Sequence, residues 1–263
     1  MKGILVTMNI VAIHSLTEDK ESLGSKLAGA LGVTTFEALS RLRIPGTGPL
    51  VVAVFAEPEP AERQAEKLGT AGFHVTFLTA GEISAEAGRS PVRRFSLGEE
   101  TLHAEPLQGG SLDIPYHDIR LVLRGTSVVR NTSTETVKSR SFNLGRAVLS
   151  SGLMLTKTTK TVREITHEAR EGFCVLYAAD GTALTFNEKG LVYDSLGPAR
   201  QPASAANFSY LVGEFRRRCG DAVYDERLLT RAAQAALLGP RLSPETHLAV
   251  AIGLIAKVFG CGA

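Results

Sequence analysis

Chemistry is most unevenly distributed between Arg130 and Glu164 of the 263-residue chain. There Arg130, Lys138, Arg140, Arg146, Lys157, Lys160 and Arg163 stand against Glu135 and Glu164, a local charge of +5 in a chain whose total is +2. Ser and Thr fill much of the remainder. Clustered cations beside hydroxyl groups offer many donors to anionic oxygens, so these seven residues are the candidate polyanion-binding site. The alternative is a solvated loop whose charges keep it soluble. Phe142 is the one aromatic in the stretch, which counts against base stacking as a binding mode.

Other reactive side chains are dispersed. Cys174, Cys219 and Cys261 form no Cys-x-x-Cys pair, and an odd number of distant thiols disfavours both a disulfide framework and a zinc site. Cys174, inside the apolar run Phe173–Tyr177, reads as a core thiol. The histidines, His14, His74, His103, His117, His167 and His247, show no ligand spacing. Tyr116-His117-Asp118 puts an imidazole beside a carboxylate at an expected bend, but adjacent side chains of a strand point to opposite faces. Asp180 reads as a turn residue and Asp221 as a helix start. Gly-x-Gly-x-x-Gly, Gly-x-x-x-x-Gly-Lys, His-Glu-x-x-His and Gly-x-Ser-x-Gly patterns do not occur. No catalytic residue, cofactor or metal ligand is therefore expected.

The elements that would position these residues follow from hydrophobic periodicity. Ile4, Val6, Met8 and Ile10 alternate with Thr7 and Asn9, predicting a strand rather than a secretion signal. Leu23, Leu27 and Leu31 predict a helix ended by Gly32. Thr34 and Glu37 form a capping-box pattern for a second helix with Phe36, Leu39 and Leu42 as its buried stripe. A strand at Leu50–Phe55, a helix with Ala61, Ala65 and Leu68 closed by Gly72, and a strand through Val75 and Phe77 complete the module. The order is β-α-α-β-α-β, with strand one expected between and antiparallel to strands two and three, and three helices on one face.

This order resembles the C-terminal domain of the large-subunit ribosomal stalk protein. The runs that carry the resemblance are Leu27-Ala-Gly-Ala-Leu-Gly-Val-Thr-Thr-Phe-Glu-Ala-Leu39 and Ala61-Glu-Arg-Gln-Ala-Glu-Lys-Leu-Gly-Thr-Ala-Gly-Phe-His-Val75. In that family a basic helix surface recruits translation factors, whereas the matching positions here are Ser25, Ala28 and Phe36. The resemblance thus implies a fold and, by analogy, a protein-docking helical face, and not stalk function. A protease adaptor shares the fold.

Residues 90 to 219 read as β-rich. Strands are expected at Val92–Leu97, Thr101–Pro106, Ser111–Ile114 and Ile119–Arg124, then at Gly172–Tyr177 and Ala183–Phe186 around Asp180-Gly181, then at Leu191–Tyr193. A helix with Phe208, Leu211, Val212 and Phe215 closes the region, started by Ser204. Four strands, three strands and a helix resemble a pleckstrin-homology-like domain in element order, with residues 126–165 as an insertion; an unrelated β-roll is the alternative. Lipid-binding versions of that domain need cations at the first hairpin turn, where Glu99 and Glu100 stand, so phosphoinositide binding is not expected. From 220 a helical tail is expected, one helix over Tyr224–Leu238 and another over Pro244–Phe259. Leu248, Ile252, Ile255 and Phe259 would dock it within the chain or onto a second copy as a homodimer.

The expectation is an α+β protein of three parts, 1–80, 90–219 and 220–263. Its expected role is that of a non-catalytic, cytoplasmic, bacterial adaptor for an unknown protein partner, with no membrane segment and no cofactor. Nucleic-acid binding through the insertion is the alternative, and an enzyme with an unfamiliar site in a cleft between domains is the third.

Overall fold

A computed structural model describes residues 8–42, 46–142 and 156–261; for 129–142 and 156–168 it describes the backbone. The fold is α+β and contains three small sheets. Two compact units divide the chain, Met1–Ser127 with Glu171–Ala263, and Val128–Arg170.

In the first unit, β1 (Asn9–His14) lies between β2 (Leu50–Phe55) and β3 (His74–Leu78), antiparallel to both, as its place in the β-α-α-β-α-β order requires. Three helices, α1 (Lys20–Leu31), α2 (Thr35–Arg41) and α3 (Pro58–Thr70), connect these strands. Asp19 caps α1 by accepting from the Glu21 and Ser22 amides, and Gly32 ends it in the left-handed conformation that glycine adopts without strain. Gly24 lets α2 approach: a Cβ there would stand 2.5 Å from Leu39 Cδ2. Val11, Ile13 and Val52 pack against Leu27, Ala38, Leu42, Ala61 and Leu68 of this helical layer.

Two details differ from the expected α2. The Thr34 hydroxyl accepts from the Glu37 amide, but the Glu37 carboxylate pairs with Arg41 at 2.7 Å, so the capping box is half made. The buried positions are Ala38 and Leu42, while Phe36 is 78% exposed. A seven-residue helix presents less than two full turns; Leu39 of the expected stripe lies against Gly24 of α1, and the fully buried positions are Ala38 and Leu42.

Helix α4 (Ala80–Ala87) was not legible in the periodicity, although Thr79 and Glu82 form a complete capping box. It is followed by the three-stranded sheet of β4 (Val92–Leu97), β5 (Thr101–Pro106) and β6 (Leu112–Pro115). The third sheet has the order β10-β7-β8-β9, from β7 (Ile119–Phe142), β8 (Thr156–Ala178), β9 (Ala183–Asn187) and β10 (Val223–Leu228). Helices α5 (Ser204–Arg218), α6 (Arg231–Leu238) and α7 (Pro244–Val258) complete the chain.

The expected helix over Tyr224–Leu238 is therefore corrected. Its first part is β10, which runs parallel to β7, and Asp221 sits in the turn before it rather than at a helix start. Val223, Tyr224 and Leu228 suit a strand as well as a helix, and an open edge of β7 resolves the ambiguity. Leu191–Tyr193 is irregular rather than a strand, although Val192 still donates to the Arg93 carbonyl. Entry to α5 is held not by Ser204 but by Asn207, whose amide exchanges two hydrogen bonds with the Gln201 backbone.

Strand β1 is buried on both faces. Ile10 and Ala12 join Val51 and Leu78 in a cluster that includes Leu237, Leu238, Val250, Ala251, Leu254 and Ile255 from α6 and α7. The same cluster takes in Leu121, Leu123, Phe173, Val175 and Tyr177, one face of the four-stranded sheet. The opposite face, with Val122, Cys174, Leu176, Leu184 and Phe186, packs on Phe95, Leu102 and Ile114 and on Phe208, Leu211 and Phe215 of α5. The C-terminal helices thus lie between two sheets. Among the described residues, no helix is long and apolar enough to cross a membrane.

Candidate polyanion interface

Strands β7 and β8 span 24 and 23 residues, four times the roughly 5–6 of an ordinary strand. Their inner parts are fixed by burial. Gly125 is required where they are, because a Cβ would stand 2.3 Å from Phe173 Cζ and 2.8 Å from Leu228 Cβ. Buried Gln234 donates to the carbonyls of Thr126 (2.7 Å) and Leu228 (2.6 Å), and the Thr126 hydroxyl donates to the Leu229 carbonyl. Arg124 pairs with Glu226 at 3.1 Å, and the Glu188 carboxylate accepts from the Gly172 amide at 3.0 Å. Every backbone group that these side chains reach is thereby satisfied where the strands leave the first unit.

The same strands carry the candidate cations. Arg130, Lys138 and Arg140 lie on β7, and Lys157, Lys160 and Arg163 on its sheet neighbour β8; Arg146 lies outside the described residues. The expected loop-like insertion at 126–165 is strand on both sides: Thr, Val and Ile are frequent there, and their β-branched side chains favour extended backbone. The unit Val128–Arg170 holds eight basic and three acidic residues, a net charge of +5, leaving 21 basic and 24 acidic residues, net −3, in the other. Arg170 is a cation that sequence reasoning missed; it stands just past the acids that set the expected boundary, and it is exposed.

Elsewhere the side chains named from sequence are positioned for structure. All three thiols are buried and protonated at neutral pH: burial pushes Cys219 up to about 12 and raises Cys174 and Cys261 as well. Tyr116–Asp118 is a 3-10 turn where a bend is expected, and His117 Nε2 comes within 3.6 Å of Asp118 Oδ1, with His117 exposed and Asp118 half-buried. Asp180 accepts from the Thr182 amide at 2.8 Å and the Thr182 hydroxyl at 2.9 Å, hydrogen bonds that hold its carboxyl below the usual range. The fold also does what linear spacing cannot, setting His14 and His74 opposite each other on β1 and β3. His103 on β5 meets Asp113 on β6 at 2.7 Å on an exposed surface.

No family model, curated protein or solved structure matches this chain.

Proposed function

We propose that this chain is a binding protein that grips the phosphate backbone of a nucleic-acid duplex with the segments Val128–Phe142 and Thr156–Arg170. The observation that carries the reading is the segregation of charge: a unit of net +5, seven of whose eight cations lie on two neighbouring strands, in a chain whose remainder is net −3. Phosphate contacts of Lys and Arg are independent of sequence and supply most of non-specific affinity. A pair of strands is an element that the major groove admits. Phe142 is the one aromatic residue in the unit, so duplex backbone, rather than stacked single-stranded bases, is the matching ligand.

In this reading the other unit is the scaffold. Its β4 to β9 and α5 are like the pleckstrin-homology-like order except that the expected last strand, Leu191–Tyr193, is irregular, and its first eighty residues are like the stalk-C-terminal order, both as likenesses of element order alone. The test is fluorescence anisotropy of a short labelled duplex, and of its single strand, titrated with protein over a range of salt. Affinity should fall linearly on logarithmic axes, by about 0.9 in slope for each phosphate neutralised. The variant Lys157→Gln/Lys160→Gln/Arg163→Gln should lose up to about 2.7 of that slope. Absence of binding at low salt, or an unchanged slope in the variant, would end the proposal.

A protein-docking role is the second reading, and Phe36 favours it. A phenylalanine 78% exposed on α2 is a large apolar group left uncovered by the described residues. Phe36→Ser should then abolish capture of a protein partner without altering the fold by circular dichroism; undiminished capture would exclude this face.

A further inference from the structure

His14 ends β1 and His74 begins β3, and the antiparallel register places them directly across from each other. Their ring centroids are 5.6 Å apart with planes inclined at 37°. His74 is exposed and His14 half-buried, so the pair is open to solvent. His14 Nδ1 lies 3.0 Å from the Ser15 hydroxyl, a contact that occupies one ring nitrogen and leaves Nε2 for a ligand.

The spacing can be compared with what a metal ion needs. Imidazole nitrogen binds a late first-row ion at about 2.0–2.1 Å, which puts the ring centre about 3.2 Å from the metal. Two such rings at a tetrahedral angle have centres about 5.2 Å apart, and at a trigonal angle about 5.5 Å. The observed separation of 5.6 Å is close to this range, and His74 is exposed. The backbone that holds the pair is set by strand register and close packing. β1 is the central strand, and Gly48 packs so closely that a Cβ there would meet the Ile13 carbonyl oxygen at 2.9 Å and His14 Cα at 3.0 Å.

From this geometry we propose that His14 and His74 form a two-imidazole site for one divalent late first-row transition-metal ion, such as Zn²⁺, Ni²⁺ or Cu²⁺. Neutral imidazole suits these ions and not Mg²⁺ or Ca²⁺. Among the described residues, no third His, Cys, Asp or Glu completes a cluster with them. The remaining coordination positions therefore belong to water or to a ligand from solution, an open site rather than a closed structural one. The site is independent of the strand pair β7–β8, and its test contains no nucleic acid.

Zn²⁺ is titrated calorimetrically into the full chain and into His14→Asn, His74→Asn and, as control, His117→Asn, with circular dichroism checking each fold. One ion should bind the wild type, and either site variant should bind at least about tenfold more weakly, since a chelate loses its second ligand. The control should match the wild type. Electron paramagnetic resonance with Cu²⁺ should show two nitrogen ligands in the wild type and one in His74→Asn. Should His14→Asn unfold, His74→Asn at its exposed position decides the matter. Failure of the wild type to bind Zn²⁺, or wild-type affinity in His74→Asn, overturns the proposal.

Discussion

Each of the strands β7 and β8 has two compositions along one continuous backbone. Over Ile119–Leu123 and Phe173–Ala178 both faces carry buried apolar side chains, with Leu121, Leu123, Phe173 and Val175 in one cluster and Val122, Cys174 and Leu176 in the other. Over Val128–Phe142 and Thr156–Arg170 the same strands are built from Thr, Ser, Lys and Arg. The first part is extended because burial and two flanking layers demand it. The second carries β-branched residues that favour extended backbone, and under the proposed function its cations serve a ligand.

This contrast fixes where substitutions should be costly. The largest effects belong to the core: Phe215 is fully buried against Phe186 at a centroid distance of 5.0 Å, and Phe215→Ala should cost about 3–5 kcal/mol in urea denaturation. A cost below that of a surface substitution would show that α5 does not close the β-rich core. Next comes the exit of β7, where Gly125→Val forces a side chain onto Phe173 and Leu228 and should destabilise by about 1–3 kcal/mol. Gln234→Ala removes the donor to two carbonyls there, and a loss of about 1–3 kcal/mol is expected.

A smaller effect is read through pH. Burial raises the Glu86 carboxyl above its ordinary 4.5, opposed by the Arg89 charge and the Tyr177 hydroxyl. The folded chain then holds this proton more tightly than the unfolded one. Its contribution is fully present below about pH 4.5 and declines as pH rises through the raised value. Glu86→Gln should flatten the dependence of melting temperature on pH in that window; an unchanged slope would assign it to other groups. The smallest stability effects belong to the cationic segments, where Lys138→Ala should stay within about 0.5 kcal/mol while weakening duplex binding. A large loss of stability would mean that the cations hold the unit together instead of serving a ligand.

Much of the architecture was legible where local and tertiary preferences agree. The central position of β1 follows from element order and crossover handedness, the end of α1 from Gly32, and the buried stripe Phe208, Leu211, Val212 and Phe215 from helical spacing. What covers each apolar face did not. Ile10 and Ala12 signal a buried side without indicating that α6 and α7, more than two hundred residues later, would supply the cover. Val223–Leu228 needed the open edge of β7 to choose strand over helix. The Ser- and Thr-rich stretch reads as a loop by its polarity, while its β-branched residues favour the strand that forms. Of the candidate sites, the cations were visible as a charge imbalance, whereas the His14–His74 pair exists only through strand register.

Amide hydrogen exchange with and without a DNA duplex is the most direct test of the account. Binding should slow exchange in Val128–Phe142 and Thr156–Arg170 and leave α1, α2 and the C-terminal helices unchanged. Protection centred on α1 and α2, with the two strand segments unaffected, would contradict it.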